Sequence, residues 1–150
     1  INFNNIHHKK IGYNDVPKSF LYCNHDKCPR RGKCLRYQVA LDISQKLPYY
    51  TTVNPQHIAG NENNCDFFKL NETTRFAAGM SHLLDDIPHA TAIAIHKEIY
   101  SLMGRSMYYR ILNKERLLHP VEQEQIAAIF RKHGIKSKPV FDDYIDKYDW

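Results

Sequence analysis

Cysteine is the residue type in this chain that is best suited to chemistry, and the chain has four cysteines. Cys23, Cys28 and Cys34 follow a C-x4-C-x5-C spacing, and Cys65 comes after thirty intervening residues. Thiolates bind soft metals, and the first gap falls within the range of structural zinc sites. The Cys28-Pro29 step is also typical of iron–sulfur ligands. The sequence therefore predicts a zinc site or an iron–sulfur cluster, with free thiols and disulfides as the other interpretations.

Basic residues surround the first three cysteines, at Lys27, Arg30, Arg31 and Lys33. Since nearby positive charge favours the thiolate, we expect these thiols to have a lowered pKa. A helix predicted from Gly32 places Cys34 in its first turn, where the helix dipole acts in the same direction. His25 could replace a cysteine as a ligand, but four cysteines suffice for tetrahedral zinc, which favours an exposed loop histidine.

The elements around the cysteines predict a loop-rich N-terminal lobe, residues 1–72. A metal bound to the four cysteines would hold its loops together. Residues 1–19 are polar and predict an extended arm. The helix predicted from Gly32 ends at Pro48, because proline cannot continue a helix. Residues 48–72 predict irregular or short-strand structure, with strand composition at 49–53.

The sequence pattern of the second lobe, residues 73–150, predicts packed helices. The fold class expected for the chain is therefore mainly α. Apolar spacing, capping residues and breakers predict helices from Thr73 or Thr74 to Asp86, Ala90 to Met103, Ser106 to Asn113 and Pro120 to Gly134. In the tail, Phe141, Tyr144, Ile145 and Tyr148 are spaced to lay one face on the body. A chain of 150 residues is long enough for the two lobes to form one compact unit.

The net charge and the hydropathy of the chain indicate which kinds of partner it can bind. The formal net charge is +5, and residues 97–138 hold nine basic residues against four acidic ones, which suits a polyanion. There is no apolar run of 18 residues, so we expect no membrane span. No secretory signal peptide is visible, and closely spaced cysteines favour a reducing cytoplasm.

The short helix predicted after Gly104 offers the clearest binding surface. With Met107 and Ile111 turned inward, an outward row remains, flanked by basic residues: Ser106, Tyr109, Arg110 and Asn113, with Arg105, Lys114 and Arg116 beside them. Arginine and asparagine can pair with base edges, while serine and tyrosine reach phosphates. Helix, glycine turn and short helix are typical of a helix-turn-helix-like hairpin that binds DNA, and equally of a packed helical hairpin whose basic surface has no such function.

Residues 95–113 resemble bacterial helix-turn-helix proteins of the LG-x-S-x-x-x-Y-R kind. Two features differ: the stretch from Gly104 to Arg110 is about two residues shorter than usual, and Arg105 stands where an apolar residue is expected. The whole chain also resembles a family of small uncharacterised bacterial four-cysteine proteins. That resemblance rests on five stretches: the Cys-x4-Cys-Pro…Cys-Leu-Arg start, Cys65, Arg75-Phe-Ala-Ala-Gly79-Met, the Tyr-Tyr-Arg…Glu115-Arg116-Leu…Pro120…Gln123-x-x-Ile126 middle and the Phe141…Trp150 end. It implies a shared fold and no particular activity.

Catalytic motifs are missing from the sequence: there is no Gly-rich phosphate loop, no G-x-S-x-G and no H-E-x-x-H. The pattern therefore favours a non-enzymatic, regulatory DNA-binding protein with a structural four-Cys metal site. One alternative is a protein-interaction module whose basic surface meets an acidic protein partner. Another is an iron–sulfur or thiol redox protein.

Overall fold

The computed structural model describes residues 11–150, so the first ten residues of the predicted polar arm lie outside the described residues. Within that range the chain has five α-helices and one two-stranded sheet, which confirms the mainly-α prediction. The contacts divide the chain into two units. One runs through residue 72 and includes Trp150, and the other is Thr73–Asp149.

The first unit is organised around α1 (Leu35–Ile43), with a short second helix, α2 (Pro55–Ile58). Leu35, Val39 and Ile43 are spaced by four and are all buried, because this spacing places them on one helix face. Asn54 caps α2 by accepting a hydrogen bond from the Gln56 N–H.

The start of α1 differs from the sequence prediction. The residues before it, Arg31–Lys33, form a 3-10 turn, and Cys34 is an extended N-cap residue that pairs with Leu70 in an antiparallel bridge. Cys34 therefore lies just outside the helix rather than in its first turn. Only one residue of the 49–53 stretch, Thr52, joins a bridge, and its partner is Tyr22.

The second unit opens with a strand where the sequence predicted a helix. β1 (Thr73–Ala78) pairs antiparallel with β2 (Asp143–Tyr148), with Thr73 opposite Tyr148 and Ala78 opposite Asp143. The prediction of a helix from Thr73 or Thr74 to Asp86 is wrong, because the partner strand lies some seventy residues away and local spacing cannot reveal it. Gly79, at φ 75°, ends the strand, and residues 81–86 form turns.

The tail is also extended, so its four apolar residues do not share one face. Neighbouring side chains of a strand point to opposite sides. Tyr144 is accordingly half-buried and Ile145 is exposed, while Phe141 lies in the core before the strand begins.

Three helices complete the second unit: α3 (His89–Met103), α4 (Arg105–Leu112) and α5 (Pro120–Lys132). Their inward residues form the core together with Leu118, and its most buried members are Ile95, Ile99, Ile111, Leu118 and Ile126. Gly104, at φ 76°, is the only residue between α3 and α4. Across residues 11–150, no helix has both the length and the apolar character that a bilayer crossing requires.

Candidate functional site

Hydrogen bonds tie the segment with the first three cysteines to the segment with Cys65. The Arg36 Nε donates to the carbonyl oxygen of Phe67 at 2.7 Å. The Leu35 N–H donates to the carbonyl oxygen of Lys69, also at 2.7 Å. Because these bonds join residues more than thirty positions apart, they hold the Cys65 loop against the start of α1.

Side chains from the loop before α1 make further contacts with the Cys65 loop. The His25 Nε2 lies 2.9 Å from the Glu62 Oε1. The Arg30 Nη1 donates to the carbonyl oxygen of Asn63 at 2.8 Å, and its guanidinium lies 3.6 Å from the centre of the Phe68 ring. His25 is therefore half-buried and paired with a carboxylate, and its prediction as an exposed loop histidine is wrong.

None of the four cysteines forms a disulfide within residues 11–150. Cys34 is buried, and Cys23, Cys28 and Cys65 are half-buried. Within residues 11–150, no three His, Cys, Asp or Glu side chains are arranged so that they could hold a metal ion. The thiols nevertheless interact electrostatically, because charges on Cys34, Cys28 and Cys65 each contribute to the pKa of Cys23.

The pKa of Cys23 moves in the opposite direction to the sequence prediction. Burial raises the pKa of this thiol above its ordinary value, and the three other cysteines raise it further. The His25 N–H donates a hydrogen bond to the thiol, which lowers the pKa but does not compensate. The expected lowering is wrong for Cys23, because removal from water outweighs the basic sequence around it.

Arg36 is a cation that is coupled electrostatically to three of the thiols. Its side chain is half-buried, and its Nη1 donates to the carbonyl oxygen of Leu21 at 2.8 Å. Burial lowers the pKa of the guanidinium, while charges on Cys34, Cys65 and Cys23 raise it. A positive charge near three thiols can compensate negative charge that develops on them.

The second candidate site is the outward face of α4. Its predicted residues are all exposed: Arg105, Ser106, Tyr109, Arg110 and Asn113. Ile111 is completely buried and Met107 is half-buried, as the inward assignment of these two residues requires. The helix thus presents a polar, basic row on one side and anchors itself with the other.

Arg116 differs from this exposed row, whereas Lys114 is exposed beside it. Lys114 has a positive φ of 61°, and its charge lowers the pKa of the nearby Asp142 carboxyl. Arg116 is half-buried, and its Nη2 donates to the Glu122 Oε1 at 2.8 Å. The Arg116 guanidinium is therefore engaged within the unit, while Lys114 stays a candidate phosphate contact.

The acidic residues of α3 and α5 pair with cations that do not belong to α4. Glu98 pairs with Lys132 and His133, and Glu122 and Glu124 pair with arginines. Neither Arg105 nor Arg110 forms an ion pair with any residue in the described part of the chain. Two uncompensated guanidinium groups therefore lie on one short helix.

An aromatic cluster beside this row was not predicted from the sequence. The Tyr100 and Tyr108 ring centres lie 5.3 Å apart, and those of Tyr108 and Tyr109 lie 5.5 Å apart. His96 packs edge-on against Tyr108 at 5.2 Å. The four-residue spacing of His96 and Tyr100 on α3 indicates a shared face, but the contact with α4 depends on the angle between the helices.

A groove of about 660 Å³ runs along α3 and α5. Its apolar lining comes from Leu102, Ala128 and Ile129, and its charged lining from Lys97, Lys132 and Glu98, of which the last two form an ion pair. Leu102 is 47% exposed, so a partner helix could bury further apolar surface here.

A family model described as "Family of unknown function (DUF6078)" matches residues 5–150 of the chain. No curated protein and no solved structure matches the chain.

Proposed function

Because the chain belongs to this family of unknown function, we propose a function from its own residues: a nucleic-acid-binding protein whose contact face is α4. The expected ligand is DNA, and the expected role is regulatory. In this proposal, α3 and α4 form a helix-turn-helix-like arrangement, and the N-terminal unit holds a structural metal.

The observation that carries this proposal is the exposed row Ser106, Tyr109, Arg110 and Asn113, together with the unpaired Arg105. An arginine can donate two hydrogen bonds to guanine, and an asparagine can bond to adenine in the same bidentate manner. Serine, tyrosine and a second arginine can contact phosphates, which positions a protein without reading sequence. The row thus combines groups for both kinds of contact.

A titration of labelled duplex and single-stranded DNA at several salt concentrations tests the proposal. Arg110→Ala should cost about 1–3 kcal/mol at a preferred site and blunt sequence preference. Arg105→Ala should weaken binding to all sequences alike and reduce the salt slope by about one. Arg131→Ala is the matched control, since it removes an exposed arginine that already pairs with Glu124.

Absence of binding by the wild-type protein below about 100 µM at low salt would contradict the nucleic-acid proposal, because even non-specific binders usually bind more tightly. Equal losses for Arg110→Ala and Arg131→Ala would show that only net charge matters. The α4 face would then have no specific role in contacting bases.

We further propose that Cys23, Cys28, Cys34 and Cys65 hold one zinc ion, with an iron–sulfur cluster as the alternative. The C-x4-C-x5-C spacing and the downstream Cys65 motivate this assignment, and the hydrogen bonds from Arg36 and Leu35 hold the Cys65 loop against the start of α1. Binding has to draw the sulfurs to about 2.3 Å from the ion, since the free thiols do not form a ready-made site. The role of the metal is to stabilise the loops of the N-terminal unit.

Elemental analysis of protein purified without chelators tests the metal assignment. One zinc per chain in the wild type, and its loss in Cys65→Ser, is the expected result. A brown solution containing iron would identify the cluster instead. Protein with neither metal would contradict the assignment and leave the thiols as candidates for redox chemistry.

A second candidate function, a protein-interaction module, is favoured by the groove along α3 and α5. Its apolar lining and Lys97, which forms no ion pair within residues 11–150, suit an amphipathic helix with an acidic residue at its edge. Two results together would support this function over the first. The wild-type protein would bind no nucleic acid at low salt, and it would bind an acidic amphipathic peptide that Leu102→Lys no longer binds.

A further inference from the structure

We propose that the tyrosine cluster makes the α3–α4 hairpin a binding site for single-stranded nucleic acid, with a base stacked on Tyr109. This inference rests on the proposed nucleic-acid function and specifies the form of the ligand. The cluster consists of Tyr100, Tyr108 and Tyr109, and the flanking cations are Arg105 and Arg110.

The ring geometry supports a stacking role for Tyr109. Its ring lies edge-on to Tyr108, with an interplanar angle of 89°, and edge-on to Tyr100, at 84°. The residue is 46% exposed, whereas Tyr100 and Tyr108 are half-buried. Tyr109 is thus held in place by two neighbouring rings and still presents aromatic surface to a ligand. Single-strand binders use such aromatic surfaces because every base has a π-face.

The connection between α3 and α4 argues against an ordinary duplex complex. A helix-turn-helix joins its two helices through a turn of about three or four residues. Here Gly104 alone separates them. Since the bases of a duplex are already stacked on one another, an exposed tyrosine ring gains most from a strand whose bases are unstacked.

The charges beside the rings fit the backbone of such a strand. Arg105 and Arg110 flank Tyr109 in sequence on α4, and neither is compensated by a carboxylate among residues 11–150. A stacking surface beside unpaired cations is the combination that binds single strands with little sequence preference. Guanidinium groups also stack on bases, so the two arginines can extend the aromatic surface.

Fluorescence anisotropy with a labelled 15-nucleotide oligo-dT, the matching oligo-U and a mixed-sequence duplex of equal length tests the inference. The wild type should bind at least one single strand about tenfold more tightly than the duplex. Tyr109→Ala should weaken single-strand binding about tenfold, and Tyr109→Phe should retain it because the ring remains. Tyr49→Ala, which removes a tyrosine that is 85% exposed in the N-terminal unit, is the control and should bind like the wild type.

The outcomes separate this inference from the proposal beneath it. Tighter binding to duplex than to either single strand, with loss in Arg110→Ala, would overturn the inference and leave the proposed function standing. Single-strand binding that Tyr109→Ala leaves unchanged would also overturn the stacking role. Failure of all three ligands to bind would overturn both. Circular dichroism melting of each variant checks that it folds. If Tyr109→Ala unfolds, Tyr109→Leu replaces it, because leucine keeps apolar bulk against Tyr100 and Tyr108 without an aromatic ring.

Discussion

The Arg36 guanidinium donates a 2.7 Å hydrogen bond from Nε to the carbonyl oxygen of Phe67, thirty-one residues further along the chain. A second bond, from Nη1 to the carbonyl oxygen of Leu21, makes this side chain a bridge between three segments of the N-terminal unit. The bridge aligns the segment that carries Cys65 with the start of α1, and its charge interacts with those of Cys34, Cys65 and Cys23. The arrangement of the cysteines therefore depends on a residue that is not one of them.

Replacing Arg36 should loosen the N-terminal unit. Arg36→Met keeps much of the apolar stem but leaves the carbonyl oxygens of Phe67 and Leu21 without their donors. Hydrogen bonds to a charged group contribute about 1.5–3 kcal/mol, so we expect the free energy of unfolding in urea to fall by about that amount. Lys33→Met, at an exposed position, is the control and should change it little. Equal effects of the two substitutions would contradict the bridging role.

Gly79→Ala should destabilise the second unit. Gly79 has a φ of 75°, and a Cβ at this position would collide with the Asp142 carboxylate and the Lys114 side chain. Overpacking of this kind costs about 1–3 kcal/mol, in addition to the backbone strain. Gly60→Ala has a similar φ of 82° but meets nothing within 4 Å, so it isolates the strain. Thermal unfolding of both variants is the measurement, and a Gly79→Ala no less stable than Gly60→Ala would contradict the predicted collision.

Glu122→Gln should lower stability near neutral pH but not in acid. Burial opposes ionisation of this carboxyl, yet hydrogen bonds from Arg116 and from the His119 N–H leave its pKa below the ordinary value. A carboxyl with a lowered folded pKa stabilises the protein above its unfolded pKa, and that contribution is lost as the pH falls through the folded pKa. We expect a cost of about 1 kcal/mol, the size of a helix-capping contribution, at about pH 7, and a much smaller one at about pH 3.

Urea unfolding of the wild type and Glu122→Gln at both pH values measures this difference. Glu124→Gln is the control, because its ion pair with Arg131 is largely exposed and should contribute little. A Glu122→Gln effect that is constant with pH would show that the carboxylate charge is not what stabilises the start of α5.

Ile111→Ala should destabilise the second unit by about 2–5 kcal/mol, because Ile111 is completely buried where α4 meets the core. Met107→Ala should cost less, since Met107 is only half-buried. Ile93→Ala, which removes a side chain that is 50% exposed, should have a small effect. Urea unfolding provides the ranking. A cost for Ile93→Ala that equals the cost for Ile111→Ala would contradict the anchoring of α4 by Ile111.

The local sequence pattern was sufficient to predict those elements whose hydrogen bonds and apolar contacts come from residues nearby in the chain. The helices around Leu35, Ile99 and Ile126 follow from four-residue spacing, and Gly104 and Pro120 mark boundaries, because a helix satisfies its own backbone. The outward row of α4 could be predicted for the same reason. Once Met107 and Ile111 face inward, helix geometry directs Ser106, Tyr109, Arg110 and Asn113 to the other side.

Contacts between distant residues decided the remainder. Phe76 and Met80 have helical spacing, yet Phe76 lies in β1 because Ile145, far along the chain, provides the opposing strand. The pKa of Cys23 rises because folding buries the thiol, a factor that its basic neighbours in sequence do not reveal. The packing of the helices also decides two further contacts. It pairs Arg116 with Glu122, and it brings the Tyr100 ring against the Tyr108 ring. Strand pairing, burial and interhelical contact join residues through space, so neither periodicity nor local composition encodes them directly.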